Sequence, residues 1–311
     1  MRYILEKYRG PRTRYTCPSC GRNGEFTRYI DTQTGRYIAE DVGICNRTHK
    51  CGYHKRPSDV LQQNRTLVPI SKKVYIKPPT ISNIEICTID ASFMHESLSR
   101  PNCAYLRWIE SIIGSSSCRK LKILYHIGST EDDRAIFWQI DSKGRIRTGK
   151  IMRYDEQTGR RVKEGSGNCS WVHTEFRKEL QLPDNWQLTQ CLYGEDLIKF
   201  ASDKPIAIVE SYKSAHIGAA FLGDYLWTSV DNINGLSVSR LSALKGKNVI
   251  LFPDTGKGHE LWSAKIGSIA SEVGFNWSIS DWLIKNTTVE QQQQGLDIAD
   301  IILNSLDYDE Y

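Results

Sequence analysis

Residues 205–210 read Pro-Ile-Ala-Ile-Val-Glu, a short apolar run that ends in a carboxylate. A run of this length, rich in β-branched side chains and bounded by proline and a charge, is typical of a strand buried on both faces. Residues 211–222 follow with the pattern of an amphipathic helix. This strand and helix predict an α/β fold.

The rest of the C-terminal third repeats this alternation of strand and helix. We expect strands over residues 225–230 and 248–252, and helices over residues 236–244 and 258–273. Short apolar strands that alternate with helices predict a parallel sheet. Residues 201–311 are therefore predicted to form one α/β domain.

Two carboxylates of this domain, Glu210 and Asp254, directly follow predicted strands. Ligands of open α/β sheets bind outside the carboxyl ends of the strands, so both side chains are candidate catalytic residues. Such a pair can hold one Mg²⁺ or Mn²⁺, or act as acid and base in phosphoryl transfer. Lys213, three residues after Glu210, is expected to contact the phosphates of a nucleic acid.

The middle of the chain, residues 81–200, predicts a mixed α+β subdomain. Apolar positions over residues 103–113 fit one helical face, which Gly114 ends. Residues 135–141 and 145–152 are expected to form two strands joined by a turn.

The second of these strands opens a basic segment, residues 143–163, with eight Lys or Arg against two acidic residues. We expect Arg147, Lys150 and Arg153 to contact nucleic acid. The alternative is a strand face that is simply solvated.

Two cysteine pairs near the N-terminus have the spacing of a zinc site: Cys17 with Cys20, and Cys45 with Cys51. Four thiolates so placed can enclose one tetrahedral Zn²⁺. A glycine follows each pair, as in tight knuckles whose amides point at the sulfurs. We favour four cysteine ligands, with His54 and then His49 as alternatives.

Between the pairs, residues 26–31 and 36–40 flank a Thr-Gly turn and predict a β-hairpin that carries the two knuckles. Residues 1–60 are therefore expected to form a zinc ribbon. The proline-containing residues 61–80 are expected to be a linker to the remainder of the chain.

The net charge of +5 is distributed unevenly along the chain. Residues 1–80 carry 16 Lys or Arg and 6 Asp or Glu, whereas residues 201–311 carry 8 and 14. A basic surface interleaved with tyrosines suits phosphates and unpaired bases, so Arg28 and Arg36 are candidate nucleic-acid contacts. The alternative is a solvated face that keeps a small module soluble.

With 311 residues, 40% of them apolar, the chain can bury a full core and form two or three domains. No apolar run approaches the length of a membrane span, and no signal peptide opens the sequence. The five cysteines outside the two pairs show no pairing pattern. We expect a protein of the reducing cytoplasm that does not contact membranes.

Several segments, taken together, resemble the Toprim domain, the catalytic fold of bacterial primases and topoisomerases. Residues 208–210 and 251–254 are similar to its glutamate and aspartate motifs, and residues 295–301 to the acidic segment that follows its core in primases. The likeness extends upstream, where a zinc ribbon and a basic subdomain occur in the order found in primases. The segments of that subdomain that carry it are residues 136–141, 144–146, 171–173 and 191–194.

The chain departs from the Toprim pattern at three positions. Ser211 and Ser214 stand where the family has glycine and aspartate, and Gly256 stands where it has the second acid of an Asp-x-Asp pair. A metal at Glu210 and Asp254 would therefore have fewer carboxylate ligands than the family uses. Four other acids are candidates for the missing ligand: Asp231, Glu260, Asp297 and Asp300.

The resemblance implies a primase-like protein of a bacterial mobile element. Such a protein would bind single-stranded DNA, synthesise primers on it in replication or transfer, and work with a helicase or another replication protein. The alternatives are a Toprim-like module that binds nucleic acid without catalysis and a Toprim nuclease that cleaves phosphodiesters.

Overall fold

A computed structural model describes residues 2–8, 10–32, 34–48, 50–61, 86–163, 167–201 and 204–306. The chain forms two compact units, Met1–Ser82 and Asn83–Tyr311. The predicted linker lies outside the described residues except for Leu61, and so does His49. Among the described residues, no helix combines the length and apolarity needed to cross a bilayer.

The first unit is a small antiparallel sheet. Its strands pair in the order β1-β2-β3-β4, and Phe26, Val42, Cys17 and Cys45 are buried in it. The elements are β1 (Tyr3–Leu5), a 3₁₀ helix (Pro11–Thr13), β2 (Phe26–Asp31), β3 (Gly43–Cys45), β4 (His54–Lys55) and α1 (Pro57–Leu61).

The partner of β2 differs from the predicted one, because residues 36–40 do not form a strand. Tyr37 makes a single bridge to Ile30, and β2 pairs with β3 instead. A Cβ at Gly43 would lie 2.7 Å from Cζ of Phe26, so only glycine lets β3 approach β2 this closely. The predicted pairing of residues 26–31 with 36–40 is therefore wrong: β2 is confirmed, but its antiparallel partner is β3, which begins at residue 43.

The second unit begins with helices packed on an antiparallel sheet of order β5-β6-β7-β8. The predicted helix and both predicted strands are confirmed. Gly114 breaks the helix at φ 76°, and helical structure then continues to Leu124. The elements are α2 (Ala91–Ser99), α3 (Ala104–Leu124), β5 (Ile127–Ser129), β6 (Ala135–Ile140), β7 (Ile146–Met152), β8 (Cys169–Trp171) and α4 (Val172–Glu175).

The parallel sheet that the sequence predicts follows a 3₁₀ helix (Glu195–Phe200). Its four strands pair in the order β10-β9-β11-β12, and all three pairings are parallel. The elements are β9 (Ile206–Val209), α5 (Tyr212–Phe221), β10 (Leu226–Ser229), α6 (Val238–Leu241), a 3₁₀ helix (Ser242–Leu244), β11 (Asn248–Leu251), α7 (Lys257–Val273), β12 (Asn276–Ile279), α8 (Trp282–Lys285), α9 (Val289–Gln294) and α10 (Ile298–Leu306).

The two sheets of the second unit share one hydrophobic core. Tyr105 and Phe137 from the first half of the unit cluster with Tyr212 of α5 and Trp227 of β10, all four fully buried. Tyr193 bridges to Ser229 at the edge of β10. The fold is therefore α/β as predicted: a parallel sheet with helices, preceded by a mixed α+β part and a small N-terminal antiparallel sheet. The predicted domain boundary at residue 200 stays a prediction.

Candidate functional site

The four predicted zinc ligands, Cys17, Cys20, Cys45 and Cys51, come together in the first unit, with all their sulfurs within 4.8 Å of one another. The Sγ atoms of Cys17 and Cys51 are 3.7 Å apart. A tetrahedral zinc with Zn–S bonds of about 2.3 Å requires an S–S separation of about 3.8 Å. The thiol geometry therefore fits one Zn²⁺.

The surroundings act in opposite directions on two of the thiols, Cys51 and Cys45. Gly21 and Gly52 both have φ of 68°, the left-handed conformation of the predicted knuckles. A backbone hydrogen bond from Tyr53 is the main cause that lowers the pKa of Cys51 to about 6, while burial raises the pKa of Cys45 to about 12. A zinc ion would supply the positive charge that the buried sulfur lacks.

His54, the described alternative ligand, has another partner. Its Nε2 lies 2.9 Å from the hydroxyl of Tyr29, and the two rings are stacked. The ring is therefore held on the sheet, outside the thiol set.

The two predicted contacts of the ribbon, Arg28 and Arg36, lie in different surroundings. The guanidinium of Arg28 lies 4.0 Å from the ring centre of Tyr15, and its Nε donates to the carbonyl of Glu40. Arg36 is exposed. Arg28 thus forms part of an ordered aromatic and cationic surface, whereas Arg36 projects into solvent.

In the second unit, Glu210 and Asp254 meet at one edge of the parallel sheet. Glu210 directly follows β9 and Asp254 comes three residues after the end of β11, and these two strands are neighbours. Burial, and then the negative charges of Asp297 and Asp231, raise the pKa of Glu210. Burial, and then the charges of Asp297 and Glu210, raise the pKa of Asp254 well above its usual range.

Asp297 is the third carboxylate of this group, and two serines fix it there. Ser214 Oγ lies 2.7 Å from Asp297 Oδ2 and donates to it, and Ser211 Oγ lies 2.6 Å from Ser214 Oγ. The backbone N–H of Asp300 also donates to Asp297 Oδ1. The two serines that depart from the Toprim pattern therefore position an acid from a distant part of the chain.

Gly256, which follows Asp254 by two residues, has a backbone that disfavours any other side chain. Its φ of 74° and ψ of −129° are open to glycine alone among the natural residues. A Cβ there would also lie 3.2 Å from the carbonyl of Gln292. An aspartate at this position would therefore be strained unless the backbone rearranged.

Of the other acids considered from sequence, Asp231 lines the cleft described below and Asp300 pairs with Lys213. Glu260 lies exposed on α7 and does not line that cleft. The sequence did not distinguish Asp297 from the other three candidate acids. What places it at the site is a hydrogen bond from Ser214, and a contact between residues 83 positions apart cannot be read from a local sequence pattern.

The predicted basic contacts of the middle segment are all engaged with carboxylates. Arg147 is buried, and its Nε donates to Asp141 at 2.8 Å. Lys150 Nζ lies 2.6 Å from Asp231, and Arg153 lies 2.7 Å from Asp132. Arg147 therefore anchors a turn inside the fold, and we leave it out of the proposed interface.

A cleft of about 720 Å³ lies in front of the acidic group. Asp254, Asp297 and Asp231 line one part of it, and Arg160, Arg161 and Lys163 line another. These three basic side chains are exposed, and within the described residues no carboxylate forms an ion pair with them. The cleft therefore combines carboxylates with unpaired cations.

A tight turn places these basic residues at the cleft. Asp155 accepts hydrogen bonds from the backbone of Gln157 and Thr158, and Gly159 lies against the ring of Trp108. The sequence contained the basic run, but it did not show which of its members would remain unpaired.

The acidic group suits a divalent cation by the chemistry of its donors. Glu210, Asp254 and Asp297 offer hard carboxylate oxygens, the ligands that Mg²⁺ and Mn²⁺ prefer. Burial is the first cause that raises the pKa of all three carboxyl groups, and the negative charges of neighbouring carboxylates add to it. The chemistry of these donors therefore suits such an ion, but in the described residues only the four cysteines bring three or more ligand atoms within 4.8 Å of one another.

Comparisons with known proteins agree with this architecture. A zinc beta-ribbon finger family matches residues 1–66, and a domain of unknown function, DUF6371, matches residues 104–255. No curated protein matches the sequence.

Among solved structures, those of primases are similar to this chain. The DnaG catalytic core has a TM-score of 0.42 and 13% identity, covering 70% of this chain and 81% of that one. The primase fragment of the bacteriophage T7 primase-helicase protein has a TM-score of 0.41 and 12% identity, covering 95% of each chain. The DnaG primase catalytic domain bound to ssDNA has a TM-score of 0.40 and 14% identity, covering 69% of this chain and 81% of that one. At such identities function does not transfer, so the function proposed below rests on the residues of the site.

Proposed function

We propose that this protein is primase-like: it binds single-stranded DNA and joins nucleotides on it with the help of Mg²⁺ or Mn²⁺. One observation carries the proposal, namely the cleft in which Asp231, Asp254 and Asp297 face the same space as Arg160, Arg161 and Lys163. Glu210 does not line the cleft, but it lies beside Asp254 at the end of the neighbouring strand. Carboxylates that bind a divalent ion, beside cations that bind phosphates, are what phosphoryl transfer requires.

Each group in the cleft has a distinct part in this proposal. Glu210, Asp254 and Asp297 would hold the metal ion, which supplies Lewis-acid stabilisation of a transferring phosphoryl group. Arg160, Arg161 and Lys163 would bind the phosphates of the template or the incoming nucleotide. Ser214 keeps Asp297 in place.

The zinc ribbon would contribute a second contact with single-stranded DNA. Arg28 stacked on Tyr15 and the exposed Arg36 offer a cation and aromatic faces, which suit phosphates and unpaired bases. We further propose a role in replication or transfer of a mobile element, in company with a helicase.

The test is primer synthesis by the purified chain on single-stranded templates with nucleotides and Mg²⁺ or Mn²⁺. Template-dependent oligomers are expected from the wild type, and a loss of at least about 100-fold is expected in Glu210→Gln, Asp254→Asn and Asp297→Asn. Asp224→Asn, an exposed carboxylate in a surface turn, is the matched control and should remain active. Equal activity in all four variants would contradict the proposed site.

A non-catalytic nucleic-acid-binding module is the second candidate, and Gly256 favours it because the site lacks one family acid. Such a module would bind single-stranded DNA with no product under any metal. Binding that weakens in Arg160→Ala and Arg161→Ala, together with an absence of oligomers, would support the module over the enzyme.

A further inference from the structure

Aromatic rings form a row at the edge of the antiparallel sheet of the second unit. The ring centres of Trp171 and His173 are 6.0 Å apart, and those of His173 and Trp186 are 5.0 Å apart in a stacked arrangement. Trp186 is buried, whereas Trp171 and His173 are only half-buried. The row therefore has a closed end at Trp186 and an open end at Trp171.

The open end of this row lies beside the cleft. Trp171 belongs to β8, the last strand in the order of its sheet, and is paired with Lys150 of β7. Side chains of paired residues stand on the same face of a sheet, and the ammonium of Lys150 is 5.4 Å from the ring centre of Trp171. Since Lys150 is one of the residues that line the cleft, the indole stands directly next to it.

His173 supports this indole as a neutral ring. Its Nδ1 lies 2.8 Å from the hydroxyl of Thr148, which is fully buried in β7. Burial, and then the charge of Arg177, lower the pKa of His173. The imidazole is therefore uncharged near neutral pH and adds an aromatic surface to the row, with no charge for a phosphate.

The surroundings of Trp171 favour a nucleic-acid strand as its ligand. The unpaired cations of the cleft, Arg160, Arg161 and Lys163, line the same space as Lys150. Proteins that bind single strands combine cations that follow the phosphates with aromatic side chains on which the bases stack. A half-exposed indole next to such cations offers this second element, and only an unpaired base has a free face to place on it.

We propose that Trp171 is the stacking site for one unpaired base of the DNA strand whose phosphates the cleft binds, and that His173 positions its indole. This inference rests on the proposed binding of single-stranded DNA and specifies how the strand is recognised. Because every base has an aromatic face, the contact does not depend on which base is present.

The first test uses the wild-type, zinc-loaded chain and a single-stranded oligodeoxynucleotide with 5-iodouracil at one position at a time. Ultraviolet irradiation should crosslink one position in preference to the others, and mass spectrometry should find that crosslink on the peptide that contains Trp171. An abasic residue at the same position should weaken binding by about 10-fold, measured by fluorescence anisotropy. Crosslinks confined to other peptides would overturn the inference.

The second test uses variants in the same binding assay. Trp171→Ala should bind single-stranded DNA about 10-fold more weakly, and Trp171→Phe should lose less. The salt dependence of binding should stay that of the wild type in Trp171→Ala and fall in Arg161→Ala, because only a phosphate contact releases counterions. Trp277→Ala, which removes an indole that is 41% exposed on β12, is the matched control and should bind as the wild type does.

Combining the two tests isolates the stacking contact. The abasic residue should cost nothing further in Trp171→Ala, since both changes remove the same contact. Binding of fully paired DNA should be equal in Trp171→Ala and the wild type, because a duplex offers no unpaired base. The crosslink and the abasic series use the wild type, so they decide the question even where a variant folds poorly.

The outcomes separate this inference from the function on which it rests. Wild-type affinity in Trp171→Ala, or an abasic penalty that persists in that variant, would overturn the stacking site and leave single-strand binding standing. An equal loss of affinity for fully paired DNA would overturn it as well. A wild type that binds no single-stranded DNA would contradict both the inference and the proposed function.

Discussion

Asp254 and Asp297 serve the proposed site at a cost to the stability of the fold. Burial is the first cause that raises the pKa of both carboxyl groups, and the negative charge of Asp297 raises the pKa of Asp254 further. Strand ends made Glu210 and Asp254 predictable from sequence. The part played by Asp297 was not predictable, because it depends on a tertiary hydrogen bond to Ser214.

Replacing Asp254 with asparagine should therefore stabilise the metal-free protein, by about 1 kcal/mol. The raised pKa means that the folded state holds a proton that the unfolded state releases, so stability falls as pH rises from the unfolded value of about 4. Thermal unfolding between pH 4 and pH 8 should show this loss in the wild type and a smaller one in the variant.

Bound metal should make the wild type more stable than Asp254→Asn, which is the reverse of the order expected without metal. Mn²⁺ at millimolar concentration should raise the melting temperature of the wild type and leave Asp254→Asn unchanged. Asp224→Asn is the control and should behave as the wild type does. A variant that is less stable than the wild type without metal would contradict the argument.

His216, at the centre of the shared core, was not singled out by the sequence. Tyr105 and Tyr193 flank it, with their hydroxyls 2.6 Å from Nδ1 and 2.8 Å from Nε2. The Tyr193 hydroxyl also donates to the carbonyl of Tyr125. Because the hydroxyl proton of Tyr193 is used in that bond, its oxygen must accept a hydrogen bond from Nε2–H of His216. Tyr105 then donates to Nδ1, so His216 is the neutral tautomer with its proton on Nε2.

Burial lowers the pKa of His216 to about 3, so the ring should stay neutral in the folded protein. The unfolded chain binds a proton below about pH 6.5, and stability should therefore fall with decreasing pH, by up to about 1.4 kcal/mol per pH unit from this group. Nitrogen NMR should show the Nε2–H form and no titration above pH 4. The exposed His95 is the internal reference, and protonation of His216 near pH 6.5 would refute the assignment.

At the scale of elements, the sequence predicted most of the second unit correctly. The sequence predicted five strands, β6, β7, β9, β10 and β11. A buried strand shows as an alternating or continuous series of apolar residues with turn-forming residues at both ends. The pairing of the ribbon was wrong, since Gly43 and Phe26 make the contact that decides it. A pattern of apolar residues does not contain such a contact between distant backbones.

The turn that carries the basic side of the cleft can be tested through Gly159. A Cβ there would lie 2.0 Å from Cε2 of Trp108, at a φ of 60°. Gly159→Ala should therefore cost about 2 kcal/mol or more and should weaken single-stranded DNA binding, because Arg160 and Arg161 lose their position. Chemical denaturation and fluorescence anisotropy measure the two effects.

Gly144 provides the matched control for this substitution. Its φ is 76°, and a Cβ there would meet nothing within 4 Å. Gly144→Ala should therefore show only the backbone strain, about 1 kcal/mol, with unchanged DNA binding. Equal losses in the two variants would mean that the contact with Trp108 does not matter.

At the scale of the whole molecule, the two units obtain their stability in different ways. The second unit has a large aromatic and aliphatic core, whereas the described residues of the first bury few apolar side chains beyond Phe26, Val42 and two cysteines. A core that small does not hold a fold by itself, so we expect the first unit to depend on a bound zinc ion. The sequence predicted this dependence, because the spacing within the two cysteine pairs can be recognised from a short stretch of sequence.

Removal of zinc should accordingly unfold the first unit and leave the second folded. Structural zinc supplies about 10 kcal/mol or more of folding free energy in small modules, and Cys17→Ser removes a buried ligand. We expect the wild type to contain one zinc per chain by metal analysis, and the variant to contain none. Limited proteolysis should then cut within the first 60 residues while the remainder stays resistant.

Cys118→Ser is the control for this experiment, because Cys118 is a buried cysteine of the second unit. It should keep its zinc and its resistance near the N-terminus. One zinc per chain in Cys17→Ser would exclude the proposed ligand set. Loss of protection throughout the chain would show instead that the core of the second unit also depends on the metal, contrary to the separate cores described above.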